Sequence, residues 1–327
     1  MKQRQLGSNG PMVSAIGLGC LSFGGLFGPT TKAESLICLD AALDHGISFY
    51  DTANIYGAGV SESVLGEWLA LRKPKITLAT KAGIVPGSTR RIDNSASYLR
   101  AELEASLRRL GRDYVDLFYI HRHDQAIPIE DVADSLGRLI DQGLIGGYGL
   151  SEVSPGTLRR AHAVRPCRAV QNEYSLWTRQ PELGLVQACA ELGVALVPFA
   201  PLARGALGEP MLDPDRQPLD PFRSQIPRFD PQNWPLNRAK LLQFRALAAQ
   251  MGHSAPALAI AWVLHQGDHL IPIPGTRSAD HLTAWAKASE IRLSASDRSA
   301  IEAVLPVGWA YGDRYSADQA STVERFC

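Results

Sequence analysis

The stretch that sets the fold is Ile76-Thr77-Leu78-Ala79-Thr80-Lys81, a helical pattern over Ser95–Leu110, and then Val115-Asp116-Leu117-Phe118-Tyr119-Ile120-His121. Two short apolar runs flanking an amphipathic segment form a strand–helix–strand unit, which requires the two strands to lie parallel. Outward from this unit the alternation recurs at roughly 30 to 40 residues. It predicts further strands at Val13–Gly19, Ile47–Asp51, Ile145–Leu150, Ala169–Gln171, Val194–Phe199 and Leu270–Ile273. Further helices are predicted at Lys32–His45, Glu62–Leu71, Glu130–Gln142, Pro155–Ala163, Pro181–Leu192, Ala255–His265 and Ala279–Ala288. Gly46 and Gly143 stand where helices commonly end. Strands and helices in this number and order make an α/β fold, a (β/α)8 TIM barrel, with an open doubly wound sheet as the alternative.

Three segments exceed a minimal barrel. Residues 2–13 read as an N-terminal hairpin around Asn9-Gly10, placed to close the barrel floor. Residues 202–237 read as a long loop after strand 7, and a C-terminal extension follows Leu293 with Trp309, Tyr311 and Tyr315. No linker or low-complexity tract divides the chain, so one domain over 1–327 is expected.

Lys plus Arg and Asp plus Glu number 33 each, so no global field draws the chain to nucleic acid or an anionic membrane. The longest apolar run, Ala255–Leu264, is short of the roughly 20 residues that span a bilayer. The start, MKQRQLGSNG, is not a secretory signal, and a cytoplasmic location is expected. The five cysteines, Cys20, Cys38, Cys167, Cys189 and Cys327, are dispersed and read as reduced thiols.

Gly17-Leu18-Gly19-Cys20-Leu21-Ser22 breaks the dinucleotide fingerprint G-x-G-x-x-G at its third glycine, and neither a Walker A sequence nor a G-x-S-x-G elbow is present. His121 and His123 supply two imidazoles without a third ligand, so no metal is expected. The ends of the predicted strands are more informative, because active sites of such barrels gather there. The second strand ends at Asp51, the third at Lys81 and the fourth at His121, and Tyr56 follows Asp51 closely. An ammonium beside a phenol favours the phenolate, so Lys81 is expected to lower the Tyr56 pKa while Asp51 holds Lys81 charged. His121 is placed to hydrogen-bond a carbonyl oxygen. Any one of these residues alone reads as a rim ion pair or hydrogen bond; the combination carries the chemistry.

At these residues the chain resembles the aldo-keto reductase superfamily. The resemblance rests on Phe49-Tyr50-Asp51-Thr52-Ala53-Asn54-Ile55-Tyr56-Gly57, Leu78-Ala79-Thr80-Lys81, Asp116-Leu117-Phe118-Tyr119-Ile120-His121, Gly149-Leu150-Ser151 and Ile273-Pro274-Gly275-Thr276-Arg277. Ser151-Glu152, Gln171–Arg179 and Gly312-Asp313-Arg314-Tyr315 are similar to the branch with perakine reductase, auxin-induced-type proteins and pyridoxal reductases. The resemblance implies reversible hydride transfer between NADPH and an aldehyde or ketone, with Tyr56 as general acid, Lys81 and Asp51 tuning it, and His121 orienting the carbonyl.

It also implies that Ser151 and Gln171 bind the nicotinamide carboxamide and that Phe199 stacks on the ring. The segment Pro201, Leu202, Arg204 and Gly205 is implied to cover the pyrophosphate. Gly275, Thr276 and Arg277 would take the 2′-phosphate, which favours NADPH over NADH, and Ala284-Trp285 replaces the acidic or amide pair usual near the adenine. Phe23, Phe27 and Trp177 are the expected pocket walls, for a small-molecule carbonyl substrate that is aromatic or of medium size. Whether the chain is a monomer or a homo-oligomer is open at this stage. The other functional readings are a cofactor-sensing regulatory subunit with slow turnover, and a barrel hydrolase or isomerase.

Overall fold

A computed structural model describes residues 1–87 and 91–325. Cys327 lies outside these residues; Cys20, Cys38, Cys167 and Cys189 are free and buried. The predicted hairpin is present as β1 (Gln3–Gln5) antiparallel to β2 (Met12–Ser14). Arg4 ties it to the barrel floor, donating to the carbonyls of Leu264 and Gly267 at 2.7 Å each.

Seven parallel strands follow in sequential order: β3 (Leu18–Gly19), β4 (Phe49–Asp51), β5 (Thr77–Ala82), β6 (Leu117–Ile120), β7 (Tyr148–Ser151), β8 (Ala169–Gln171) and β9 (Ala195–Leu196). The expected eighth strand, Leu270–Ile273, is the segment that closes the barrel, but with half a ladder. Ile271 and Ile273 donate to the carbonyls of Leu196 and Pro198 at 2.9 and 3.0 Å, and Gly17 and Gly19 donate to those of Pro272 and Pro274 at 2.9 and 3.1 Å. Pro272 and Pro274 have no N–H to return to β3, so regular pairing lapses along this seam.

Strand alternation decides what faces inward. Phe49, Ala79, Leu117, Tyr119, Ala169, Ala195 and Ile271 pack together inside the barrel with Leu6 and Val13 of the hairpin beneath them. Tyr50, Leu78, Phe118, Leu150 and Val170 pack outward with the helices. Gly149 makes the interior possible: a Cβ there would come within 2.3 Å of the Tyr119 ring.

Eight helices alternate with or cover the strands: α1 (Lys32–Asp44), α2 (Val60–Arg72), α3 (Ala96–Leu110), α4 (Ile129–Asp141), α5 (Pro155–Val164), α6 (Leu185–Leu192), α7 (Trp234–Gln250) and α8 (Ala255–Leu264). Thr31 with Glu34 forms a capping box on α1, and Ser95 and Ser154 cap α3 and α5. Gly46 and Gly143 follow α1 and α4 in left-handed conformations, with φ of 78° and 73°.

Three expectations need correction. The loop expected over 202–237 ends at Asn233, where α7 begins with Pro235 in its first turn, a position that leaves no hydrogen bond unmade. The signal for α7 was present, since Trp234, Asn237, Leu241, Phe244 and Ala248 are buried at helical spacing. The helix expected from Pro181 starts at Leu185, because Gly184 at φ 110° interrupts it. The helix expected over Ala279–Ala288 stops at Thr283 (α9), followed by a 3-10 turn at Ala288–Glu290.

Among the described residues no single helix is long and apolar enough to cross a membrane. Helices α7 and α8 together approach that composition, yet they meet at 88° and α8 is buried along its whole length. After α10 (Ala295–Val304) the chain returns over the barrel mouth, where Trp309 donates to the Leu176 carbonyl at 2.7 Å, and ends past α11 (Ala317–Ala320).

Candidate active site

The inward parity of β4, β5, β6, β7 and β8 brings Asp51, Lys81, His121, Ser151 and Gln171 to the same end of the barrel. Lys81 is fully buried and forms an ion pair with Asp51. It also donates to the Thr52 carbonyl at 2.8 Å and to the Tyr56 hydroxyl oxygen at 3.3 Å. Gln171 donates its amide N–H to the second Asp51 oxygen at 2.9 Å, so the carboxylate is held at both ends. Tyr56 sits in the turn after β4, with its ring edge-on to His121 at a centroid separation of 5.7 Å.

These contacts set the protonation states. Burial pulls the Lys81 ammonium down, but the Asp51 carboxylate and the Tyr56 oxygen outweigh it and hold Lys81 above its ordinary value. Burial pushes the Tyr56 phenol up, and Lys81 only partly offsets this. The expected lowering of the Tyr56 pKa is therefore corrected: the lowering influence exists, and desolvation exceeds it. Tyr56 is a neutral phenol at pH 7 whose oxygen accepts from Lys81, leaving its own O–H to donate elsewhere. Burial, then Arg122 and Lys81, push His121 well below its ordinary value, so its imidazole is neutral, and Nδ1 is buried without a partner.

Ser151 and Gln171 are register partners at the ends of β7 and β8, with Asn172 beside them carrying a buried, unpartnered Oδ1. Phe199 follows β9 and pairs through its backbone with Asn172, whose carbonyl accepts from the Phe199 N–H at 3.1 Å. Pro201, Leu202, Arg204 and Gly205 form a tight turn in which Ala200, Ala203 and Arg204 all have positive φ, between 49° and 55°. Such left-handed backbone outside glycine is uncommon. The Arg204 guanidinium points to Glu173, at 2.6 Å, and lies 5.2 and 4.9 Å from the ring centres of Phe222 and Tyr315.

Gly275 is exposed, Thr276 exchanges hydrogen bonds with Ser278, and Arg277 reaches the Phe27 carbonyl at 3.0 Å. Trp285 is buried in the core and presents no face at this end. Of the expected pocket walls, Phe27 is partly exposed, meets Phe222 edge to face and lies under the Arg223 guanidinium. Phe23 and Trp177 are buried instead, Trp177 between Phe229 and Trp309, so they support the mouth rather than line it. The open cleft there, about 430 Å3, is walled by Leu26, Ile84, Ile92, Arg122, Phe222 and Tyr315, among others.

Sequence reading missed an ion network that secures the tail. Arg314 pairs with Glu152 at 2.5 Å and Glu173 at 3.3 Å, and Glu173 also takes Arg204, joining the ends of β7 and β8, the loop after β9 and the tail. Glu152, Glu173 and Arg314 lie in segments that carried the branch resemblance, and only their partners were unreadable. A second clamp joins His123 to Glu324 at 2.6 Å through Nδ1 and to the Ile127 carbonyl at 3.2 Å through Nε2. Glu324 also accepts from the Ser154 N–H and the Thr157 hydroxyl at 2.8 and 2.7 Å.

Two acceptors on one ring require an imidazolium. Burial pulls His123 down, but these partners raise it above its ordinary value, so the clamp is intact below about pH 6.5 and is lost as pH rises through the raised value. Glu324, held below the usual carboxylate range, removes its share only on acidification. Hydrogen exchange in residues 314–325, referenced to intrinsic rates, is expected to rise about tenfold between pH 6 and pH 9, from one lost charge-assisted hydrogen bond. The step should be absent in His123→Gln; an equal step in that variant would assign it elsewhere.

Residues 15–306 match the model of the Aldo/keto reductase family. The chain is 38% identical over 315 residues to a probable aldo-keto reductase 1 of Glycine max, covering 95% of this chain and 91% of that one. Among solved structures it is similar to the glycerol dehydrogenase AKR11B4 of Gluconobacter oxydans, with a TM-score of 0.84, 29% identity, and coverage of 93% and 94%. It is also similar to the aldo-keto reductase AKR11C1 of Bacillus halodurans, with a TM-score of 0.78, 27% identity, and coverage of 98% and 99%. The chain belongs to the aldo/keto reductase family. It is an NAD(P)H-dependent oxidoreductase that acts on small-molecule carbonyl compounds.

Proposed function

We propose that the chain reduces an aldehyde or ketone with NADPH, with Tyr56 as the proton donor. The observation that carries this is the chain of contacts from Asp51 through Lys81 to the Tyr56 oxygen, with a neutral His121 at the Tyr56 ring. NADPH, when bound, supplies the hydride. Tyr56 donates its proton to the carbonyl oxygen as negative charge develops there, and Lys81 stabilises the phenolate left behind. Asp51 keeps Lys81 charged and in place. His121 donates an imidazole N–H to the same carbonyl oxygen and fixes its orientation.

The residues at the mouth suit a dinucleotide. The buried Asn172 Oδ1 lacks a donor, and a carboxamide beside Ser151 and Gln171 supplies one. The Phe199 ring offers an apolar face to a flat heterocycle. Arg277 has no ion pair among the described residues and carries the planar fork that suits a phosphate. Arg277→Leu is expected to raise the NADPH KM about tenfold while changing that for NADH little, which steady-state kinetics with both cofactors checks.

The functional test is single-turnover NADPH oxidation with an aromatic aldehyde, run beside NADH. Rapid oxidation with NADPH is the expected result. Tight NADPH binding with very slow turnover across an aldehyde panel would instead indicate a cofactor-sensing subunit, and binding of neither cofactor would remove the reading altogether.

A further inference from the structure

The cleft over the mouth is mostly apolar and cationic at one point. Leu26, Ile84, Ile92 and Phe222 line it, and Arg122 is the charged side chain among the described residues of its wall. Of the arginines gathered nearby, Arg204 and Arg314 are answered by Glu173 and Arg223 by Asp220; Arg228 donates to the Gly312 carbonyl and the Thr178 hydroxyl and does not line this cleft. Arg122 has no carboxylate partner among the described residues. It donates to the His121 carbonyl at 2.6 Å and lies 3.4 Å from the Ser151 hydroxyl and 3.5 Å from that of Tyr315, while its Nε is buried with no partner.

A partly buried cation surrounded by neutral dipoles is an incomplete arrangement, because desolvation is offset only when an opposite charge is paired with it. Arg122 also follows His121 directly, and its charge is felt at both Tyr56 and His121, so the cleft and the proton donor are within electrostatic reach of each other. A volume of about 430 Å3 suits a small organic molecule. The guanidinium fork matches a carboxylate in two parallel hydrogen bonds.

We infer that the substrate is an aldehyde or ketone with an apolar body and an anionic group, a carboxylate, which Arg122 seats at the cleft wall. This rests on the carbonyl-reduction reading above and narrows its substrate class. Recognition of the anion at Arg122 leaves the carbonyl end of the molecule for Tyr56 and His121, so affinity and orientation come from opposite ends of the substrate.

The test compares 4-formylbenzoate with its methyl ester, a pair of similar size and ring electronics that differs in charge. The ratio of kcat/KM, acid over ester, is expected to be about tenfold in the unaltered protein, and to fall as ionic strength is raised to about 0.5 M. In Arg122→Met the ratio falls to about one, and Arg122→Lys keeps part of it. Because both substrates are measured on the same preparation, a loss of folded protein cancels from the ratio. A ratio near one in the unaltered protein overturns the inference, as does a tenfold ratio that survives Arg122→Met, which would place the anion elsewhere. Calorimetric titration of the two compounds into protein with saturating NADP+ reads the same preference as a Kd ratio without hydride transfer. Failed reduction with that Kd ratio intact would defeat the reductase reading while upholding the anion site, and equal Kd values would defeat the site.

Discussion

Tyr56→Phe lowers kcat for aldehyde reduction about 10²- to 10⁴-fold, the usual contribution of a positioned acid or base, while NADPH binding changes less than about threefold. The separation follows from how Lys81 is held. The Tyr56 oxygen is one of three Lys81 partners, and the variant leaves the Asp51 ion pair and the Thr52 carbonyl in place. The aromatic ring, whose centre lies 5.1 Å from the Lys81 nitrogen, is kept as well. A loss of about 1 kcal/mol in stability is expected for the hydrogen bond removed. Pre-steady-state mixing with NADPH and aldehyde measures the hydride step, and fluorescence titration measures cofactor affinity. Hydride transfer at the unaltered rate in Tyr56→Phe would show that the proton comes from another donor.

Lys81→Met has the larger structural effect. It leaves the Asp51 carboxylate, with 2% of its side chain exposed, dependent on Gln171 alone for compensation. Removing one member of a buried ion pair costs about 3–5 kcal/mol, a large part of the roughly 5–15 kcal/mol that separates a folded chain from its unfolded state. The denaturant midpoint should fall accordingly, and turnover should be lost because nothing stabilises the Tyr56 phenolate. Asp51→Asn combined with Lys81→Met removes both charges and should recover most of the stability but none of the turnover. A double-mutant cycle on denaturation midpoints reads that coupling directly. If the double variant is as unstable as Lys81→Met alone, packing around the lysine stem, rather than the stranded charge, sets the cost.

Ser151 and Gln171 entered only through the family resemblance, whereas the sequence by itself determined the parallel strand order, the hairpin at residues 2–13 and the convergence of Asp51, Lys81 and His121, with Tyr56 close behind Asp51. These follow from local periodicity: side chains alternate along a strand, so residues of one parity at successive strand ends meet inside a barrel wherever the helices run. The closing segment was also legible as an apolar run, although Pro272 and Pro274 limit its ladder, because an apolar face is visible in sequence and a missing N–H matters only beside a partner strand.

Tertiary structure alone decided what depends on residues far apart in the chain. Burial reversed the direction expected for Tyr56, since desolvation is set by the loops above it and the neighbouring lysine accounts for only one of the opposing effects. Trp177 became a support rather than a pocket wall because Trp309, from the tail, packs against it. The pairing of Arg314 with Glu152 and Glu173, more than 140 positions away, likewise leaves no periodic trace. Arg122 lies beside the readable His121, yet its lack of a carboxylate among the described residues became evident only once the path of the tail and the loop after β9 was known. A charge is legible in sequence, whereas its compensation is a property of the neighbours that folding brings to it.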